Sequence, residues 1–118
     1  MTSRDSTQSK KGVHLSGDKC VICGWDKKDP KGRSLVIGAH VRAFQKQRDY
    51  DRFDNIIALC PNHHLEFDRG CIAIDPLQEI CIHINKGDEF NKKKILGNIK
   101  HVQPGHFDYH QKNVFNKR

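Results

Sequence analysis

Apolar residues are scarce in this chain. Only 36% of its 118 residues are hydrophobic, 30% are charged, and the mean hydropathy is −0.76. A domain of this length buries a modest share of its surface, so such a stock excludes a fold held by a hydrophobic core alone. No run approaches the roughly 18 apolar residues that cross a bilayer, which excludes a helical membrane anchor. The opening stretch, Met1 to Gly12, is polar and lacks the apolar segment of a secretory leader. The expected compartment is therefore the cytoplasm, where thiols stay reduced. The five cysteines are then better read as metal ligands and buried thiols than as disulfide partners. Internal repeats and long low-complexity tracts are missing too. Acidic residues are outnumbered, 14 Asp and Glu against 21 Lys and Arg, for a net charge of +7. That surplus points to a polyanionic partner, because neutralising phosphates releases counterions.

Along the chain, residues 1–17 are rich in Ser, Thr, Lys and Gly and read as a flexible basic arm, leaving 18–118 as the folded domain. Cys20-Val-Ile-Cys23-Gly24 has the form of a knuckle, with glycine permitting the tight turn. Ser34 to Val41 is an apolar run of strand length with His40 near its end. Arg42 to Asp54 is a polar connection with room for a short helix. Asn55 to Leu59 reads as a second strand. Pro61 opens a helix that runs to about Asp68 and stops at Gly70. Cys71–Asp75 and Glu79–Ile84 predict a hairpin across Pro76-Leu77-Gln78. Asp88–Ile99 predicts a basic helix and Phe107–Phe115 a short terminal one. The class is α+β, two strands and a helix with an added hairpin and short flanking helices.

Two pairs carry the strongest metal signal. Cys20 and Cys23 stand two residues apart, as do Cys60 and His63, and the pairs lie 37 residues apart. Zinc takes tetrahedral Cys and His ligands, and this spacing lets both members of a pair reach one ion. A structural Zn²⁺ would supply the folding free energy that the core lacks. A redox role for the CxxC is disfavoured because no thioredoxin-like βαβ pattern surrounds it. Cys71 and Cys81 fall on the hairpin, outside the knuckle spacing, and read as small buried side chains.

Five segments then match a known pattern in order: Cys20-x2-Cys23-Gly24, Gly38-Ala39-His40-Val41, Asp51-x3-Asn55, Leu59-Cys60-Pro61-Asn62-His63-His64 and Phe67-Asp68-Arg69-Gly70. Over residues 20–75 the chain resembles the HNH endonucleases with their ββα-metal core (about residues 33–70 here). It is most similar to the bacterial restriction-type branch with its AHI, CPNHH and FDRG signature. The resemblance implies hydrolysis of DNA phosphodiester bonds, a bacterial or phage origin, and a place in restriction, phage or mobile-element defence. It also implies roles for three residues. His40 would be the general base that activates water, Asn55 would orient it through the loop backbone, and His64 would bind a catalytic divalent metal.

That chemistry needs a base to deprotonate water and a cation to steady the phosphate and the leaving oxygen. One position departs from the commonest family pattern: Ala39 stands where many members carry a metal-binding Asp. A lone His is a thin hold on an oxygen-preferring cation. Asp68 lies four residues after His64, so on a helix the two share a face. A ligand occupies the corresponding helix position in colicin-type nucleases. The expectation is that His64 and Asp68 hold Mg²⁺, Mn²⁺ or Ni²⁺ together, with a salt bridge or turn-stabilising role for Asp68 as the alternative.

Arg42, Lys46, Arg48 and Arg69 are the expected phosphate contacts to double-stranded DNA, positioning the chain without reading sequence. Lys92 to Lys94 and Lys100 form a second basic run that also reads as a solvated face. His101, His106 and His110 have irregular spacing and read as surface or packing residues. A zinc-stapled nucleic-acid-binding module without cleavage is the competing reading. A single site nicks one strand, so a double-strand break would call for a homodimer. Targeting supplied by a larger defence complex is compatible with either.

Overall fold

The computed structural model describes residues 6–42 and 50–116. Strands β1 (Ile37–His40) and β2 (Ile56–Leu59) form an antiparallel pair in which Ile37 faces Leu59 and His40 faces Ile56. A 3₁₀ turn, Phe53–Asn55, leads directly into β2. All four β2 residues are buried, as a central apolar run requires. Helix α2 (Pro61–Asp68) follows after one residue and packs against both strands. The expected ββα unit is thus present.

Local chemistry sets both ends of α2. Cys60 is its N-cap, with Sγ accepting from the His63 N–H at 3.4 Å, and Pro61 fills the first helical position. At the other end Gly70 takes φ +79°. The Cys71 N–H reaches the Glu66 carbonyl at 2.8 Å and the Gly70 N–H reaches that of Phe67 at 3.3 Å. This is a Schellman closure, which uses up the last carbonyls of the helix. A Cβ on Gly70 would also sit 2.5 Å from the Val114 carbonyl oxygen, so the C-terminal segment leaves no space for one.

The hairpin is β3 (Ile72–Asp75) and β4 (Ile80–His83), paired Ile72 to His83 and Asp75 to Ile80. Asp75 Oδ1 accepts from the Leu77 and Gln78 N–H groups and holds the turn. Helix α3 (Pro104–His110) runs into a π-helical turn, Gln111–Phe115, so the expected terminal helix begins three residues earlier than read. The main core gathers Val21, Ile57, Leu59, Phe67, Ile74 and Phe107 between these elements.

Two expectations are corrected. Residues 88–99 do not form a helix. Asp88 Oδ1 takes the Phe90 N–H at 2.9 Å, Lys92 sits at φ +63°, and Lys92 and Lys93 bond Cys81 on β4 through their backbone. The segment spends its backbone groups on the edge of the hairpin, where helical bonding is lost. The stretch read as a flexible arm contains helix α1 (Ser6–Leu15), which packs across β1 and β2. Its composition hides the reason. Gly12 lets the helix approach so closely that a Cβ there would stand 2.7 Å from Ile56 Cβ. Ser16, fully buried, donates to the Gly12 carbonyl and accepts from the Ala58 N–H. Contact is made through small and polar groups, which apolar periodicity does not reveal.

Candidate active site

The two knuckles converge. The Gly24 N–H closes on the Cys20 carbonyl at 2.8 Å with Gly24 at φ +77°, which turns the CxxC back on itself. Cys20 Sγ lies 3.6 Å from His63 Nδ1, Cys60 Sγ 3.3 Å from the same nitrogen, and Cys23 Sγ 3.9 Å from Cys60 Sγ. All four ligand atoms lie within 4.8 Å of one another. Ligands at ordinary zinc distances on a tetrahedron stand about 3.5–3.8 Å apart, so the donor set and its spacing fit one ion. The electrostatics agree. Burial pushes the Cys20 thiol up, but hydrogen bonds to His63 and backbone groups outweigh it and bring it to about 6. Burial, aided by the charge of Cys20, drives Cys23 up to about 12. Three sulfurs this close, two of them buried, do not ionise together readily without a cation among them.

A second trio, Glu66, His83 and Asp88, is also close enough to hold an ion. Its hydrogen bonds argue otherwise. His83 Nδ1 accepts the Asn85 N–H at 2.9 Å, so the ring proton resides on Nε2. Nε2 points it at Glu66 Oε2, 2.9 Å away, with Asp88 Oδ2 at 3.4 Å. A metal there would have to displace that proton. The trio instead braces Glu66, whose other oxygen lies 3.9 Å from His63 Nε2, behind the knuckle.

His40 ends β1 with its side chain largely buried, and Nε2 lies 2.9 Å from Asp51 Oδ1. Asn55, fully buried, ties the connection together. Its Nδ2 donates to the Arg42 carbonyl at 2.9 Å and the Tyr50 carbonyl at 2.7 Å, and its Oδ1 accepts the Arg42 N–H at 2.8 Å. One side chain therefore fixes both flanks of the loop that leaves His40 and returns Asp51. Asp51 carries no role in the sequence reading. It appears there only as part of a matched string, and nothing in its spacing marks it as the partner of a base.

His64 faces away from the knuckle. Its Nε2 is 3.1 Å from Asp68 Oδ2, one turn along α2, and both side chains reach solvent. Among the expected DNA contacts, Arg42 is half-buried and Arg69 is exposed after α2. Lys46 and Arg48 lie outside the described residues. Lys92, Lys93, Lys94 and Lys100 are exposed. The histidines of the C-terminal part are packing residues: His101 Nε2 bonds the Ile56 carbonyl, His106 packs edge-on to Tyr50, and His110 stacks on Phe67. Burial holds His106 and His110 below the usual histidine range.

Residues 20–75 match the family model described as HNH endonuclease. These residues belong to the HNH endonuclease family. The match spans both knuckles, His40, Asp51, Asn55 and the whole of α2. The fold of the HNH segment and its surroundings is similar to that of a solved modification-dependent TagI restriction endonuclease. The TM-score is 0.74 and the identity 24%, over 96% of this chain and 39% of that one. The chain thus spans well under half the length of that enzyme. No curated protein sequence matches it. No helix among the described residues is long and apolar enough to cross a membrane.

Proposed function

We propose that the chain is a metal-dependent endonuclease that hydrolyses phosphodiester bonds of double-stranded DNA, with His40 as general base. The observation that carries this reading is the buried His40–Asp51 contact, held in place by Asn55. An ionised carboxylate only accepts, so Asp51 would keep a His40 proton on Nε2, and Nδ1 is the ring nitrogen that can gain one. Nδ1 would take a proton from water as its oxygen attacks phosphorus and the bond to the leaving oxygen breaks. Asp51 then steadies the imidazolium that results.

A divalent cation (Mg²⁺, Mn²⁺ or Ni²⁺) held by His64 and Asp68 would supply positive charge for the phosphate and the leaving oxygen. The nitrogen and oxygen donors, 3.1 Å apart on one helix face, fit such an ion. Cys20, Cys23, Cys60 and His63 would hold a structural Zn²⁺. Restriction, phage or mobile-element defence, in the cytoplasm and with a bacterial or phage origin, is the setting we propose. Targeting there would come from a further segment, a homodimer or a larger complex.

Plasmid nicking with and without EDTA tests the reading. Wild type should nick in added divalent metal and hold about one zinc per chain. His40→Ala should lose roughly 10²- to 10⁴-fold in rate while keeping its zinc. Cutting by that variant at near wild-type rate would overturn the base assignment. Asp68→Ala should raise the Mg²⁺ or Mn²⁺ concentration needed for half-maximal rate, and unchanged metal dependence would remove Asp68 from the site. The buried Ala39, where many relatives carry a ligand, favours one second reading, a zinc-stapled nucleic-acid-binding module. DNA retention without nicking in any divalent metal would establish it.

A further inference from the structure

Arg42 stands two residues beyond His40, and its guanidinium lies over two tyrosine rings. Its central carbon is 4.4 Å from the Tyr50 centroid and 4.0 Å from that of Tyr109. Among the described residues no carboxylate pairs with it. A guanidinium held against aromatic rings keeps its in-plane N–H groups for bonding, and their fork matches two oxygens of one phosphate. This cation–π cluster is tied to the proposed catalytic loop at three points. Asn55 bonds both the N–H and the carbonyl of Arg42 and also the Tyr50 carbonyl. His106 on α3 packs edge-on against the Tyr50 ring, with centroids 5.9 Å apart. Just ahead of α3, the Gln103 N–H and side-chain amide bond the Asp54 carbonyl and carboxylate at 3.1 and 2.9 Å. Helix α3, outside the matched family segment, is thereby registered to the residue that precedes Asn55.

We infer that Tyr109 is a positioning residue: with Tyr50 it holds Arg42 as a two-pronged clamp for a DNA backbone phosphate beside His40. This rests on the nuclease reading above and goes beyond it. It assigns DNA binding to the C-terminal helix, through an arginine that α3 does not carry. It also makes Arg42 a fixed donor, whose ordering cost is met before DNA arrives.

A double-mutant cycle tests this, by fluorescence anisotropy of a 20-base-pair duplex with zinc-loaded protein and no added divalent metal, so that binding is read without cutting. Arg42→Ala should weaken binding about 10- to 30-fold, as loss of a charge-assisted contact does. Tyr109→Leu should weaken it about 3- to 10-fold in the wild-type background, the scale of a lost cation–π contact, and not at all alongside Arg42→Ala. Tyr109→Phe keeps the ring and should bind as wild type does. Should Tyr109→Leu lose its zinc, Tyr109→Met carries the same cycle.

Equal losses in both backgrounds would mean that Tyr109 does not act through Arg42, and the inference falls. No loss in either background overturns it as well. A zinc-loaded wild type that binds no duplex overturns the nuclease reading, and the inference with it. Duplex binding with a silent Tyr109 overturns the inference alone.

Discussion

The knuckle cluster and the His40–Asp51 loop sit at opposite ends of β2 and are built on different logic. The knuckle draws Cys20, Cys23, Cys60 and His63 from two short segments, and each segment fixes its own pair through a two-residue spacing. The proposed catalytic loop draws His40, Asp51 and Asn55 from the end of β1, the connection, and the residue before β2, with Asn55 bonding both flanks. The knuckle is a local arrangement repeated twice, which one ion would join. The loop is a long-range arrangement held by one amide. A metal held in the knuckle would stabilise the whole fold, whereas the loop's bonds are spent on its own two flanks. The two regions should therefore fail in different ways.

The largest effect should come from the knuckle. Structural zinc in small domains contributes on the order of 10 kcal/mol or more, comparable to the whole stability of a domain this size. Chelation, or Cys60→Ala, should abolish the cooperative thermal transition seen by circular dichroism, because Cys60 is the N-cap of α2 and would also be a zinc ligand. A chelated chain that still melts cooperatively near the wild-type midpoint would erase the contrast. The loop should break without unfolding anything. Asp51→Ala should lower kcat about 10²-fold, with zinc content and the melting midpoint close to wild type, since it removes the group that orients the base. A fall in zinc content in that variant would show the two regions to be one.

The legibility of the sequence follows the same divide. Spacing rules state local geometry, so both knuckle pairs, both strands of the ββ unit and α2 with its ends are readable from residues alone. His64 and Asp68 are readable for the same reason, since a helix converts a four-residue step into a shared face. Asp51 is not, because its partner lies 11 residues away, across a connection whose two flanks are bonded by Asn55. The segment 88–99 is helical in composition and irregular in fact, because β4 offers its backbone an edge. Helix α1 escapes reading because its contact with the sheet is made by Gly12 and Ser16.

The smallest of these effects sharpens that last point. On a free helix, Gly12→Ala would stabilise by about 1 kcal/mol through propensity. Packed against Ile56, the added methyl has no space, and the variant should instead lose roughly 1–3 kcal/mol in a denaturant titration. The sign alone separates a docked helix from a loose arm.

Helix α2 serves as a ruler. It carries consecutive histidines, one turned in toward the sulfurs and one turned out toward Asp68, and a one-residue step on a helix swings a side chain by about 100°. Inserting or deleting a single residue between Cys60 and His63 would turn His63 away from the sulfurs and swing His64 and Asp68 to a new bearing in the same event. The hairpin tip, where Leu77 is 90% exposed, can change length with no such penalty. Variation in chain length is thus open to this protein at the tip and closed along eight residues of α2.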